Sequence, residues 1–222
     1  MNGQTARAAS RAGKAFLAGI AACALAAALL VWLAPEERSL GDGIKVVYVH
    51  VALVWTGLTG LALTGLLGLA VLVSGDRRLA NLAQTTGWVA CTFFAAGLTM
   101  SIVAAKVNWG GMFWQEPRTA ASLRVLALGV LVLGVAGWLG GGRRQGLLYL
   151  LPAGLAVWSF PGTRLVLHPQ SAIWSSPSVG IRFTFLALFV VFSLAALQIV
   201  AHFARQSPAD DGVALRGNQN WD

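Results

Sequence analysis

The chain has 222 residues, of which 57% are hydrophobic and only 11% charged, and its formal net charge is +8. A soluble domain carries about 25% charged residues, so a water-covered globular fold is excluded and an integral membrane protein is expected. The positive charge does not point to nucleic acid, because the basic residues sit in short runs between apolar segments, where they act as determinants of membrane topology.

Six apolar stretches follow one another along the chain, at 15–34, 46–74, 82–105, 119–141, 145–162 and 181–203. Each comes close to or exceeds the about 20 residues of a spanning helix. The expected fold is therefore all-α: a polytopic membrane protein with six transmembrane helices, forming one membrane domain over 1–205. The polar remainder, 206–222, reads as a disordered cytoplasmic tail. In the first stretch, Ile20-Ala21-Ala22-Cys23 has the look of a lipoprotein cleavage box, but the apolar run continues to Ala34 and is read as a plain span. Pro35-Glu36-Glu37-Arg38 ends it. The second stretch is too long for the bilayer: about 29 residues rise roughly 43 Å against a core of about 30 Å. His50, near its start, then falls about one turn outside the core boundary expected near Trp55. Gly75-Asp76-Arg77-Arg78 separates the second and third stretches, and Gly140-Gly141-Gly142-Arg143-Arg144 the fourth and fifth. Pro152 predicts a kink or tilt in the fifth. Cys23 and Cys91 both lie inside apolar runs, which argues against a disulfide or a cysteine metal site.

Basic residues at the span ends set the orientation. Arg7, Arg11, Lys14, Arg77, Arg78, Arg143, Arg144, Arg205 and Arg216 fall on one side. Arg38, Lys45, Lys106, Arg118, Arg124, Arg164 and Arg182 fall on the other. The first group is larger and its loops are shorter, which places both termini in the cytoplasm and His50, Trp109–Arg118 and His168 on the outer face.

That outer face gathers the residues with chemistry. His50 and His168 come from different helices, and between them in sequence runs Trp109-Gly110-Gly111-Met112-Phe113-Trp114-Gln115-Glu116-Pro117-Arg118. A histidine or tryptophan alone at a membrane interface is an ordinary polar anchor or belt residue, and Trp32, Trp55, Trp88, Trp138 and Trp158 need no other explanation. The coincidence of two imidazoles with an aromatic loop is what a planar iron macrocycle would use. Histidine nitrogens are axial ligands of haem iron, and Trp109, Phe113 and Trp114 offer flat apolar faces. Gly110 and Gly111 let the backbone come close. Haem propionates are carboxylates, for which Arg118, Arg124 and Arg164 supply paired donors, with ordinary snorkelling as the alternative. Glu116 is placed to orient Arg118 or to accept from a loop amide. There is no C-x-x-C-H motif, so any haem would be non-covalent haem b, and His202 reads as a surface residue at the opposite end. No Ser-His-Asp set, P-loop or carboxylate pair is present, so no enzymatic activity is expected.

In these patches the chain resembles the CcmC/CcsA/CcmF haem-handling family of cytochrome c assembly, closest in size and span number to the CcmC branch. The family's outward loop follows W-G-x-x-W-x-W-D-P/A. Trp109-Gly110-Gly111 opens it here, and Glu116-Pro117-Arg118 closes it. Phe113 and Gln115 stand where the family has tryptophans, and Glu116 stands where it has aspartate, so the segment is a degenerate version. Tyr48, His50, Val51 and Trp55 match the family's Y-x-H-V-x-x-x-W. Leu167-His168-Pro169-Gln170-Ser171-Ala172-Ile173 matches its later histidine patch. The resemblance spans about 45–185 in three short patches in the family's order. It implies a haem presenter at the outer face of a bacterial cytoplasmic (inner) membrane, holding haem b in transit between His50 and His168. Transfer would go to a CcmE-like periplasmic haem chaperone or to an apocytochrome, with CcmA/CcmB-like ABC-transporter subunits as partners. Two alternatives remain at this stage: a b-type haem electron carrier, poorly served because only His202 lies toward the inner face, and a transporter subunit without haem.

Overall fold

In the computed structural model, residues 3–139, 142–159 and 176–206 are described, and they are all-helical apart from one isolated bridge, Glu37 with Gly41. The helices are α1 (Gly3–Trp32), α2 (Ile44–Ser74), α3 (Arg77–Trp109), α4 (Pro117–Trp138), α5 (Arg143–Ser159) and α6 (Val179–Gln206). Five of them, all but α5, are long and apolar enough to cross a membrane. Several extend past the apolar stretches that announce them, because helix ends are set by caps and not by hydropathy. Gly75, at φ 72°, and Gly110, at φ 76°, end α2 and α3 in the left-handed conformation and return their N–H groups to Val71 O and Lys106 O. Asp76 starts α3 by accepting from the Arg78 amide at 2.7 Å. Pro117 starts α4 at the first helical position, where its missing N–H costs nothing.

The helix α2 is the hub, in contact with α1, α3, α5 and α6. Its means of doing so is a series of glycines. A Cβ on Gly57 would lie 2.6–2.7 Å from the Cβ, N and Cα of Phe94, and one on Gly60 would lie 2.7 Å from the Ala90 Cβ. Toward α5, a Cβ on Gly68 would meet the Tyr149 Cβ at 2.7 Å and Gly146 O at 2.9 Å. In lipid there is no hydrophobic drive between helices, so such backbone approach and its dispersion contacts hold a bundle together. Around these seams Leu61, Ala83, Ala90, Cys91, Phe94, Val125, Leu133, Ala136 and Tyr149 form the main core, linking α2 to α3, α4 and α5.

Buried polar side chains in this core are paired with backbone or with one another, Gln145 Oε1 being the exception. Thr56 and Thr64 donate to the carbonyls of Ala52 and Gly60 one turn back. Tyr149 donates to Gln84 Oε1 at 2.9 Å, and Gln84 Nε2 donates to Leu133 O at 2.8 Å, which ties α5, α3 and α4 together. Gln145 Nε2 reaches Ala136 O, in the last turn of α4, whose carbonyls have no intrahelical partner. Pro152 sits buried inside α5.

A second core, Ala34, Ile44, Tyr48, Ala52, Ile181, Phe185 and Leu188, joins the start of α2 to the start of α6 and the end of α1. Helix α1 is otherwise peripheral: 6% of its apolar window is buried, against 39% for α2. It is fastened to α6 by the Phe16 ring stacked on His202 at 4.0 Å and by Gln198 Nε2 donating to Cys23 Sγ at 3.3 Å.

The bundle has two chemically distinct ends. Gly75 lies against the Arg143 side chain, so the two arginine-bearing turns share one end. At the other, Asn108 Nδ2 donates to Gly43 O at 3.1 Å, placing the tryptophan segment beside the start of α2. There the turn after α1 is organised by Glu37. Its carboxylate accepts from the Ser39 hydroxyl, from the Ser39 amide at 2.9 Å and from the Leu40 amide at 3.1 Å, and these bonds hold its pKa below the ordinary glutamate value.

The glycine seams yield a paired expectation. Gly57→Ala forces α2 off the α3 backbone and should destabilise the bundle by about 1–3 kcal/mol, the usual cost of overpacking. Gly134→Ala, with nothing within 4 Å, should be neutral or slightly stabilising. Thermal unfolding of the two variants in the same detergent measures the difference.

Candidate functional site

His50 is the seventh residue of α2 and half-buried. Centring the 31-residue α2 on a core of about 30 Å leaves roughly five residues outside at each end. His50 then lies at the core boundary, slightly deeper than the sequence implies. Its Nδ1 is 2.8 Å from Gly97 O on α3. A carbonyl only accepts, so Nδ1 carries a proton in this bond. That is the arrangement in which a metal-ligating imidazole is oriented by a backbone carbonyl. It exists because Gly97 has no side chain: a Cβ there would stand 2.7 Å from Val54 Cγ2 and 2.8 Å from Val54 N. Nothing in the sequence pattern marks Gly97 as this partner, beyond its being a small residue inside a span.

The neighbours of His50 in its sequence patch have structural tasks. Tyr48 is fully buried and donates to Pro35 O at 3.3 Å, anchoring the turn after α1. Trp55 is exposed, edge-on to Phe185 at 6.2 Å, as a belt residue would be.

The aromatic segment is shorter than the sequence implies, because helices claim both of its ends. Trp109 is the last residue of α3, Gly110 is its cap, and α4 begins at Pro117. Gly110 thus has a task of its own, ending α3 at positive φ, apart from any approach to a ligand. Trp109, Phe113 and Trp114 are exposed at 45%, 43% and 64%, a concentration of bare aromatic surface at a helix end. Glu116 does not stand with them. It is buried at 4% exposure, its amide donates to Phe113 O at 3.2 Å, and its carbonyl accepts from Ala120. A carboxylate at that position also suits the positive end of the α4 dipole.

Arg118 and Arg124 belong to α4 and not to the loop. Arg118 is half-buried in the first turn, and Arg124 is exposed. Six residues apart, they are separated by about 9 Å along the axis and about 240° around it, so they do not form one paired site. His50 and the aromatics are also staggered. Trp109 is twelve residues beyond Gly97 on α3, about 18 Å along the axis. His168 and Arg164 lie outside the described residues. His202 is at the arginine end, stacked on Phe16 and 2.8 Å from Gln206 Nε2 through its own Nε2. Among the described residues, no group of three or more His, Cys, Asp or Glu gathers at a metal site. No protein-family model matches the chain, and no curated protein matches it.

The His50 geometry is testable without any ligand. Gly97→Ala should push α3 away from Val54 and lengthen the His50 bond. In 15N-histidine spectra the unsubstituted protein should show the Nδ1–H tautomer at His50, and the variant a mixture of tautomers.

Proposed function

We propose that this chain is a six-span haem-binding membrane protein of cytochrome c maturation, akin to the CcmC branch of the haem-handling family. It acts without bond-making chemistry of its own. Haem b is its cargo, held non-covalently at the outer face of a bacterial cytoplasmic membrane and released to a CcmE-like chaperone or an apocytochrome. CcmA/CcmB-like transporter subunits are its partners. The fifth span is read from the apolar stretch 145–162. Both termini are cytoplasmic, on the side of the arginine-bearing turns, consistent with the positive-inside rule.

The observation that carries this reading is the His50 Nδ1–Gly97 O bond, which fixes the ring of a histidine at a membrane boundary; in this reading Nε2 is the ligating nitrogen. His168 is the second axial ligand in this reading, and Trp109, Phe113 and Trp114 are the cover for the exposed macrocycle face, with Gly110 and Gly111 between them. Arg118 is the better placed of the propionate candidates, being at the start of α4 beside the aromatics. Arg124 lies further down the helix, and Glu116 acts from beneath the segment.

Two measurements test the proposal. Protein purified with haem supplementation should show a Soret band without covalent attachment. His50→Gly and His168→Gly should each lower occupancy, with partial rescue by imidazole, while His202→Gly changes nothing. A chain that takes up no haem would favour a haem-free transporter subunit. Ligand cover by an aromatic ring is worth about 0.5–1.5 kcal/mol, so Trp109→Ala or Trp114→Ala should weaken haem retention by roughly three- to tenfold. For topology, in a cysteine-free background, Gly111→Cys should react with impermeant thiol reagents from outside, and Gly75→Cys should not.

A further inference from the structure

Between α3 and α6, at the arginine end, a groove of about 530 Å3 opens to the bilayer, lined among others by Gln84, Thr85, Trp88, Phe93, Ile199 and Phe203. It exists because α6 changes partners along its length. Near its start, Ile181, Phe185 and Leu188 pack on the beginning of α2. Toward its end, Gln198 and His202 turn to α1. The Phe93 and Phe192 rings lie 6.5 Å apart across the α3/α6 contact, and Phe93 also lines the groove.

The groove has the depth and polarity of one lipid leaflet. Phe93 is the midpoint of the 33-residue α3. With a core of about 30 Å centred there, the boundary falls about ten residues away, near Gln84. The groove therefore runs from the interface to the mid-plane. Its outer end carries Gln84, Thr85 and Gln206, and its depth carries Trp88, Val89, Phe93 and Ile199. Arg78 is exposed one heptad before Thr85, hence on the same face of α3, about 9 Å beyond Gln84 along the axis. Arg205, also exposed, adjoins Gln206. Among the described residues, the acid at this end is Asp76, already engaged in capping α3.

From this juxtaposition we propose that the α3/α6 groove is a binding site for one anionic phospholipid of the leaflet at the arginine end. An acyl chain lies along Trp88, Phe93 and Phe203, and the phosphate is met by Arg78 and Arg205. The site is independent of the haem-handling reading and lies at the opposite end of the bundle.

Native mass spectrometry of the full chain released from nanodiscs of equimolar phosphatidylglycerol and phosphatidylcholine tests it. The unsubstituted protein should retain a single phosphatidylglycerol in preference to phosphatidylcholine. Arg78→Gln should reduce that retention about fivefold, the worth of one basic residue at an anionic surface. Thr92→Trp, on the bilayer-facing wall, should fill the groove and abolish it while the protein still inserts and unfolds at an unchanged temperature. Equal retention of the two lipids, or an adduct that survives Thr92→Trp, would overturn the proposal. So would efficient cross-linking of Thr85→Cys to another polypeptide, which would make the groove a protein interface.

Discussion

The fold depends on how closely α2 can approach its neighbours. In a bilayer the lipid competes with each helix for apolar contact, so a bundle needs surfaces that lipid chains cannot match. The glycines of α2 supply them. Gly57 and Gly60 admit α3, and Gly65 and Gly68 admit α5, with prospective Cβ positions under 3.0 Å from the facing helix. Because the two sets lie at different heights, α2 serves α3 toward the tryptophan end and α5 toward the arginine end. Bulky residues then fill the space left around the seams: Phe94, Leu61, Leu133 and Tyr149 are each almost wholly buried.

The placement of His50 follows from the same approach. An imidazole on α2 reaches a carbonyl on α3 at 2.8 Å because Gly97 removes the side chain that would otherwise separate the helices. The bond sets both the tautomer and the orientation of the ring. It comes from a helix, not a loop, so the ring's geometry is set by the packing of α2 on α3. The aromatic segment is positioned by different means: a glycine cap at one side, a proline start at the other, and the Asn108–Gly43 bond to hold it beside α2. The two parts of the candidate site are therefore fastened by different contacts, on the same pair of helices.

Much of the architecture was legible in the residues. The all-helical membrane class follows from composition, and every apolar stretch coincides with a helix, because hydropathy reports the solvent a segment must meet. Helix ends were less legible. The cores of the spans are written in apolar residues, but their limits are written in caps such as Asp76, Gly75 and Gly110, which extend α3 to Trp109 and shorten the aromatic loop. Helix count and span count also part company, since α5, at 17 described residues, is about 26 Å long. At the site, His50 stands out as a rare ionisable residue at a span end, but its partner is a main-chain carbonyl, which has no sequence signature. Glu116 illustrates the same limit. Its position in the loop motif suggests a surface role, whereas its burial depends on how α4 enters the bundle.

Helix α6 shows how one element can serve two purposes without conflict. Its first half is a structural clamp: Ile181, Phe185 and Leu188 close over Tyr48 and Ala52, so the segment carrying His50 cannot shift without disturbing that core. Its second half is held by α1, a helix with one partly buried face and few fully buried residues. The closer packing thereby lies at the tryptophan end, around the segment that carries His50. The arginine end keeps an open crevice between α3 and α6, unfilled among the described residues. An unfilled space next to lipid costs the contacts its walls would otherwise make. Lipid chains are always at hand to supply those contacts, and the phenyl, indole and threonine surfaces along the crevice match an acyl chain better than they match each other. The crevice would then be a seam that the bilayer, in the proposal above, completes, whereas near the start of α6 the described residues pack on one another.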